Sequence, residues 1–472
     1  MIIIGDDVDS IFDNKASLHR IFEIKDLGSL SYFLGLEVIS IDDGIYLCQA
    51  KYASDLLTRA GITDSRIKST PLEPNRRLED VRSRNLFFSD PYLNSMPVHM
   101  QTLHMVGGLG ETSYASNSLI QREGVLKTQP ILEEAIMNVY GNDLSSCFRL
   151  ADLGCSSGPN ALLVASNIIA IVDAISHTLN RDPPALQFFL NDLFGNDFNS
   201  IFKALPDLYK RMEQEKGPRS RPCFFNATLG SFYGRVYPSN SINFFHSSFG
   251  QHFLSQPPKG LKKEGEEVNK GNTYFTSTTP PAVYNAYLKQ FKEDFNVFLK
   301  SRSEELVPNG GMVLVFFGRD AKDETKSMIT PWALVGIVLN DMVLENIVEE
   351  AKLDSFNFPI YAPTIDEVKE TIEAEGSFSL ERMELIKYGW EAGLITNNSN
   401  DDGELLVDEG TKGEYIAKYV RAITEPLLKA HFGESIMDPL FIRYKNKVAK
   451  LLEVQTLGHS ILAMFMTKKC LN

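Results

Sequence analysis

A chain of 472 residues is long enough for two or three domains, and 43% hydrophobic with 23% charged residues is the composition of an ordinary globular protein. Asp and Glu number 61 against 47 Lys and Arg, a formal net charge of −14, which disfavours a general nucleic-acid or anionic-membrane binder and favours a small-molecule partner. The 5 cysteines are odd in number and lack a Cys-x-x-Cys pair, so no disulfide framework or zinc site is expected and a reducing, cytoplasmic setting is.

No charged-then-apolar leader is seen, and apolar runs such as Leu462 to Met466 fall short of the roughly 18–20 residues of a membrane span, so none is predicted. In chain order, Met1-Ile-Ile-Ile-Gly-Asp-Asp predicts a strand ending in an acidic turn, and Ile11 to Phe22 an amphipathic helix. Ser29 to Ile39 and Gly44 to Leu47 predict a hairpin around Asp42-Asp43-Gly44, followed by a short helix from Tyr52 to Ala60. The stretches Phe22-Glu-Ile-Lys-Asp-Leu-Gly-Ser-Leu-Ser-Tyr-Phe-Leu-Gly-Leu-Glu-Val, Gln49-Ala-Lys-Tyr-Ala-Ser-Asp-Leu-Leu and Ser69-Thr-Pro-Leu-Glu-Pro resemble the reverse transcriptase of copia-type retrotransposons. The resemblance covers residues 1–80 and implies a truncated α+β fragment. Asp6 and Asp7 match the Gly-Asp-Asp that comes after that family's catalytic pair, so the carboxylates that would hold two magnesium ions are missing and no polymerase activity is expected.

Residues 81–99 show no clear period and read as a junction, with Met96 or Met100 as the expected original start of the larger, second domain. Gly107 to Gln121 predicts a glycine-rich lead into a helix carrying Tyr114, Ser118 and Gln121 on one face, either a ligand stripe or a solvated face. Gln129 to Tyr140 continues as a helix. Then Phe148-Arg-Leu-Ala-Asp152-Leu-Gly154-Cys155-Ser-Ser-Gly158-Pro159-Asn160 reaches an acidic residue, turns through glycines and opens into the apolar stretch Ala161 to Ile175, a nucleotide-binding strand, turn and helix. Glycine is expected there so that a ligand can approach the main chain. The spacing is not the Gly-x-Gly-x-x-Gly of a dinucleotide site, and an acidic residue ahead of the first glycine suits the ammonium and sulfonium of S-adenosylmethionine. A tight turn that binds nothing is the alternative.

Leu186 to Leu193 is a second strand, whose Asp192 is placed to accept hydrogen bonds from ribose hydroxyls or else to cap the next helix. Strands at Cys223–Ala227, Ile242–Phe245 and Met312–Phe317, alternating with helices such as Tyr284–Leu299, predict a parallel α/β sheet. Helices at Trp332–Glu350, Ile365–Ala374, Tyr415–Lys429 and Asp438–Leu452 predict a cap over its carboxyl edge, mainly residues 325–450, and Thr396 to Glu404 a polar surface loop.

Gly107-Gly-Leu-Gly-Glu-Thr-Ser-Tyr-Ala, Asp152-Leu-Gly-Cys-Ser-Ser-Gly-Pro-Asn, Asn191-Asp-Leu-Phe-Gly-Asn-Asp-Phe-Asn, Gly230-Ser-Phe-Tyr-Gly-Arg, Phe245-His-Ser-Ser and Leu353-Asp-Ser-Phe-Asn-Phe-Pro-Ile-Tyr, in that order, resemble the plant SABATH methyltransferases. The resemblance covers residues 100–472 and implies an α/β, Rossmann-like class I methyltransferase sheet with an α-helical cap. It also implies methyl transfer from S-adenosylmethionine to the carboxylate of a small plant acid of the salicylate, benzoate or jasmonate type. The implied cofactor residues are Tyr114, Ser118, Asp152, Cys155, Asn160, Asp192, Leu193, Ser231 and Phe232. Gln121, Phe249, His252, Phe253, Trp332 and Tyr361 are implied for the acceptor, with Gln121 and Trp332 positioning it. Asn269, Asp354, Phe356 and Asn357 correspond to sites of a structural Mg2+ in some relatives, though one carboxylate is a weak set for that ion. Relatives of this kind often form homodimers.

A sulfonium is an activated electrophile and a carboxylate is already ionised, so no acid–base dyad is required and His246 is expected to be a satisfied strand-end residue. The family's usual Ser-Tyr-x-x-x-Trp reads here Ser248-Phe249-Gly250-Gln251-His252-Phe253, which removes a hydroxyl and an indole N–H. Each hydrogen bond to a charged group is worth about 1.5–3 kcal/mol, so weaker carboxylate binding is expected, with protonated His252 as the replacement donor. Purine N-methylation and a catalytically impaired, retroelement-fused protein are the competing functions.

Overall fold

Segments that are apolar at every position, rather than at alternate ones, must be covered on both faces. Met312–Phe317 and Ile461–Met466 are of this kind, and they become neighbouring interior strands in a computed structural model of the protein. The structure describes residues 104–469, apart from 144, 217–221, 324–328 and 395–406, and the backbone of three earlier strands. Two units divide at Phe87 and Phe88. In the first, β1 (Tyr32–Phe33), β2 (Leu36–Ile41) and β3 (Gly44–Cys48) form an antiparallel sheet in which Ile41 faces Gly44, the expected hairpin. The strand at Met1–Asp7 with Asp6 and Asp7, the helices at Ile11–Phe22 and Tyr52–Ala60, the junction at 81–99 and the loop at Thr396–Glu404 lie outside the described residues.

The second unit runs α1 (Leu119–Lys127), α2 (Gln129–Gly141), β4 (Cys147–Leu153), α3 (Pro159–Thr178), β5 (Ala185–Asp192), α4 (Phe198–Lys216), β6 (Cys223–Leu229) and β7 (Ile242–Ser248). A two-residue ribbon, β8 (Lys262–Lys263) and β9 (Glu266–Glu267), precedes α5 (Pro281–Glu305) and β10 (Leu306–Gly318). Then come α6 (Pro331–Leu344), α7 (Glu350–Ser355), α8 (Ile365–Glu375), β11 (Phe378–Gly389), α9 (Glu409–Phe432), α10 (Met437–Leu452) and β12 (Gly458–Lys468). Seven strands pair in the order β11-β12-β10-β7-β4-β5-β6.

The stretch from β10 to β6 is parallel, as expected, but β12 runs antiparallel to both its neighbours, β10 and β11, so the sheet is mixed. Burial demands an interior place for Ile461–Met466, whose side chains are at most 1% exposed, but local sequence does not encode strand direction. β11 interrupts the region expected to be cap, leaving α6, α7, α9 and α10 as its helices. The helix expected from Trp332 to Glu350 stops at Leu344, because Asn346 takes a left-handed φ of 58° and the chain restarts at Glu350. The apolar helix α3, 20 residues long with a mean hydropathy of 1.6 over its most apolar 18, has the length and composition of a membrane span. Its apolar side chains are largely buried against α2, α4 and β5.

One buried ion pair ties α5 to the loop after β6. Arg302 and Glu305 are fully buried and meet at 2.7 Å. The guanidinium also donates to the carbonyls of Phe232 (2.7 Å) and Gly234 (2.8 Å), while Glu305 accepts from the amides of Val236 (2.6 Å) and Tyr237 (2.9 Å). Burial opposes both charges, lowering the basicity of Arg302 and raising the carboxyl pKa of Glu305, and their contact offsets it. Arg302→Met strands the carboxylate and is expected to cost about 3–5 kcal/mol in urea unfolding, part of it recovered in the Arg302→Met/Glu305→Leu double variant, which removes the stranded charge but leaves the amides of Val236 and Tyr237 without their acceptor. Equal losses in the two variants would refute this account of the pair.

Candidate active site

β4 and β5 end side by side, and their ends are cross-linked. The amides of Gly154 (2.9 Å) and Cys155 (3.0 Å) donate to the carbonyl of Asn191, and the Ser156 amide donates to Asp192 Oδ2 at 2.7 Å. Asp192 Oδ1 accepts the amide of Leu193 at 2.7 Å, so the carboxylate caps no helix. Asp152, at the tip of β4, accepts from His246 Nδ1 on β7 at 2.8 Å, which makes His246 the satisfied strand-end residue expected.

The two glycines of this turn differ in their surroundings: Gly154 lines two cavities at the strand ends, and Gly158 packs against the protein itself. Gly158 has φ +101°, and a methyl group there would lie 2.7 Å from Ala115 Cα, so the residue is needed for close packing of the protein on itself rather than for approach of a ligand. At Gly154 the nearest neighbour of such a methyl is the Phe232 ring, 3.2 Å away.

Tyr114, Ser118 and Gln121 do not share a helix face. The helix begins only at Leu119, and Ser118 stands at its N-cap. Before it, Ser113 Oγ donates to the Gly110 carbonyl (2.7 Å), and the Asn117 amide donates to the carbonyls of Glu111 (2.7 Å) and Ser113 (2.8 Å). These side chains hold main-chain groups in turns instead of a helix. Tyr114 is brought to the site by that turn and Gln121 by the first turn of α1.

Two adjoining cavities lie at the carboxyl ends of the parallel strands. The larger, partly open to solvent, is lined by Tyr114, Gln121, Asp192, Leu193, Ser231, Phe232, Phe249, His252 and Phe253 among the expected residues. The smaller is lined by Tyr114, Gln121, Asp152, Cys155 and Asn160. Ser118 lines neither; its carbonyl accepts the Asn160 amide at 3.0 Å. Trp332 and Tyr361 are also set back. Trp332 packs behind Phe317 (centroids 6.3 Å apart), and the Tyr361 hydroxyl is taken by Glu367 (3.1 Å to each oxygen) within a network that includes Arg319 and Tyr284.

Several lining residues lay outside the expectation: Met105, Tyr233, Leu254, Phe317 and Ile423. Phe317 had a signal, since ligands gather at the carboxyl ends of parallel strands. Ile423, on cap helix α9, had none, because its arrival depends on how the cap docks.

The electrostatics separate the cavity into two ends. Burial pushes the Asp192 carboxyl up to about 6, against the pull of the Leu193 and Ser156 amides, and burial raises the Cys155 thiol. At the aromatic end His252 is 1% exposed, packed against Phe253 (4.4 Å) and Phe317 (4.7 Å), with Nδ1 unpartnered. Burial, helped by His459, lowers its pKa to about 3. His252 is therefore neutral near pH 7 and cannot be the protonated donor that was expected.

The magnesium expectation finds no support. Asn269 Nδ2 donates to Asn357 Oδ1 at 2.6 Å, and Asp354 Oδ1 accepts the Gly271 amide at 2.8 Å, so an oxygen of the one carboxylate and an amide oxygen are engaged by the protein. Asn269 Oδ1 is buried without a partner, and Phe356, its ring packed on Phe358 and Phe432, could offer only its main-chain carbonyl, which leaves a set with a single carboxylate. Among the described residues no three His, Cys, Asp or Glu are grouped as metal ligands.

The family model for SAM dependent carboxyl methyltransferases matches residues 100–469. The chain belongs to that family. The methyltransferase is 43% identical over 374 residues to the "Probable jasmonic acid carboxyl methyltransferase 2" of Theobroma cacao, covering 78% of this chain and 99% of the relative. It is 40% identical over 361 residues to the 3,7-dimethylxanthine N-methyltransferase 1 of Coffea arabica, covering 75% of this chain and 93% of the relative. A solved structure of a loganic acid methyltransferase with SAH superposes with a TM-score of 0.65 at 30% identity, over 78% of this chain and 99% of that one. The reverse transcriptase (RNA-dependent DNA polymerase) family model matches residues 1–74 of the same chain.

Because the folded Asp192 carboxyl holds its proton more tightly than an unfolded one near pH 4, it favours folding below that pH, and the contribution is lost as pH rises through about 6. Asp192→Asn cannot ionise, so in ligand-free protein its stability relative to the parent should increase from about pH 4 to about pH 7 in urea unfolding. A pH-independent difference would show that this carboxyl is not desolvated.

Proposed function

We propose that this methyltransferase uses the cavity to join S-adenosylmethionine and a small plant carboxylic acid, giving the methyl ester. The cofactor residues meet a test of fit: Ser156 Oγ and Ser157 Oγ are buried without partners beside two strand-end carboxylates, and the lining combines Asp192 with the apolar surfaces of Leu193 and Phe232. Asp192 would accept the ribose hydroxyls, Asp152 and Tyr114 would face the amino-acid end, and Ser118, Cys155, Asn160, Ser231 and Phe232 would complete the holder. When bound, the cofactor supplies a methyl group already activated on sulfonium sulfur.

What remains for the protein is to hold an acceptor oxygen in line and keep water away. Gln121 lines both cavities, and its Nε2 N–H groups would donate to an acid's carboxylate, while its buried side-chain oxygen, an acceptor without a protein partner, would take a donor from elsewhere. Phe249, Phe253 and Phe317 supply apolar walls, and Trp332 and Tyr361 act behind them rather than by contact.

The observation that carries this choice of acceptor is the state of His252. Among the described residues it is the one histidine, lysine or arginine on the wall of the larger cavity, and burial holds its pKa at about 3, too low for an effective proton acceptor. The carboxyl group on that wall, Asp192, is the one assigned above to the cofactor's ribose. An acceptor that is already an anion needs no base, whereas a purine N–H must lose its proton, so a carboxylic acid suits the aromatic end of the site better than a purine.

The direct test is calorimetric titration with S-adenosylmethionine, then transfer of labelled methyl to salicylate, benzoate, jasmonate, indole-acetate and xanthosine. Ester formation is expected, with a rate flat in pH above about 6 and cofactor affinity falling below it as Asp192 protonates. Methylated xanthosine without ester would reverse the choice, and cofactor binding without any product would support an impaired enzyme. Gln121→Ala is expected to raise KM for the acid about tenfold or more while leaving cofactor affinity intact. Removal of residues 1–95 should leave both constants unchanged, since the methyltransferase family match begins only beyond that segment; a loss of either would give the reverse-transcriptase-like piece a role.

A further inference from the structure

Glycine is a poor residue for the interior of a helix, yet Gly124 sits within α1 and is buried. The reason lies across from it. A methyl group at position 124 would stand 2.4 Å from Phe249 Cζ and 2.8 Å from Cε2, so the tip of that ring occupies the space where a side chain would be. The same methyl would lie 3.3 Å from the Tyr388 hydroxyl, which is buried without a hydrogen-bond partner. Gly124 does not itself line the cavity, but Phe249 does.

Phe249 has little freedom to give way. Its backbone is in the left-handed region at φ +60°, and its amide donates to the Val315 carbonyl at 2.6 Å. One flank of the ring is closed by Phe317, with centroids 5.2 Å apart, and His252 stands at 6.5 Å. The open direction is the cavity.

We propose that Gly124 is a specificity-determining residue: by leaving room for the Phe249 ring to retract into α1, it sets the depth of the acceptor end of the cavity and so the largest acid that fits. Gly124 acts through Phe249 and is a positioning residue. A side chain at 124 drives the ring into the cavity and excludes bulky acceptors before small ones; a smaller side chain at 249 relieves that exclusion. The inference rests on the carboxyl-methyltransferase function proposed above.

The test is calorimetric binding of two acids of different bulk, salicylate and jasmonate, to the full-length protein loaded with S-adenosylhomocysteine. In Gly124→Ala the jasmonate Kd is expected to rise about tenfold or more while the salicylate Kd stays within about threefold, the range one methylene commands in an apolar pocket. Affinity for S-adenosylhomocysteine should not change, and thermal stability should fall modestly, because overlap with the Phe249 ring outweighs the helix preference of alanine. Adding Phe249→Leu should return the ratio of the two constants toward the parent's. Phe249→Leu alone should shift that ratio toward jasmonate, which keeps the test standing if Gly124→Ala fails to fold.

An unchanged ratio in Gly124→Ala, equal weakening of both acids, or failure of leucine to restore the ratio would overturn the proposal and leave Gly124 a packing residue only. Parent protein that binds S-adenosylhomocysteine but neither acid would instead overturn the proposed acceptor class, and this inference with it.

Discussion

Three main-chain amides of one turn, those of Gly154, Cys155 and Ser156, are held by two consecutive residues at the end of the neighbouring strand, the Asn191 carbonyl and the Asp192 carboxylate. These bonds set where β4 stops and where α3 begins. Leaving any of the buried amides unpaired would cost about 1–3 kcal/mol. The turn also holds Ser156 at φ +55° and packs Gly158 against the Tyr114-bearing segment, so the floor of the cavity and part of its wall come from one bonded unit. Asp192 is thus a structural acceptor that also stands on the cavity wall, and its raised pKa is the cost of burying it there.

The rest of the site is built to position rather than to transfer protons. Arg302 and Glu305 anchor the loop that brings Ser231 and Phe232 to the cavity, and they do so from a fully buried place where neither charge reaches the ligands. Among the described residues, the one His, Lys or Arg on the larger cavity's wall is kept neutral by burial. Such a site suits a reaction between an electrophile that arrives activated and a nucleophile that arrives ionised. Discrimination then falls to shape, and the aromatic cluster of Phe249, His252, Phe253 and Phe317 is where shape is set.

Much of this was legible along the chain. The strand, turn and helix around Asp152, the acidic end of β5 and the motif order that resembles the methyltransferase family are local features, and local features survive folding. The wrong expectations share a different cause. Tyr114, Ser118 and Gln121 have helical spacing, but Ser113 and Asn117 bind the main chain and delay the helix to Leu119. Trp332 and Tyr361 belong to the right segments and point elsewhere, because Glu367 and Phe317 claim them. Of the two amides expected to ligate magnesium, Asn357 has its oxygen taken by Asn269 Nδ2.

By itself the sequence determined the parallel strands β4, β5, β7 and β10, the family they belong to, and which carboxylates stand at the ends of β4 and β5, since hydrophobic run, glycine turn and acidic residue lie within a few positions of one another. Only the tertiary structure decided the direction of β12, the neutrality of His252, the arrival of Ile423 and the partnership of Gly124 with Phe249. Those properties depend on burial and on contacts between residues far apart in the chain, and pairwise spacing carries no record of either.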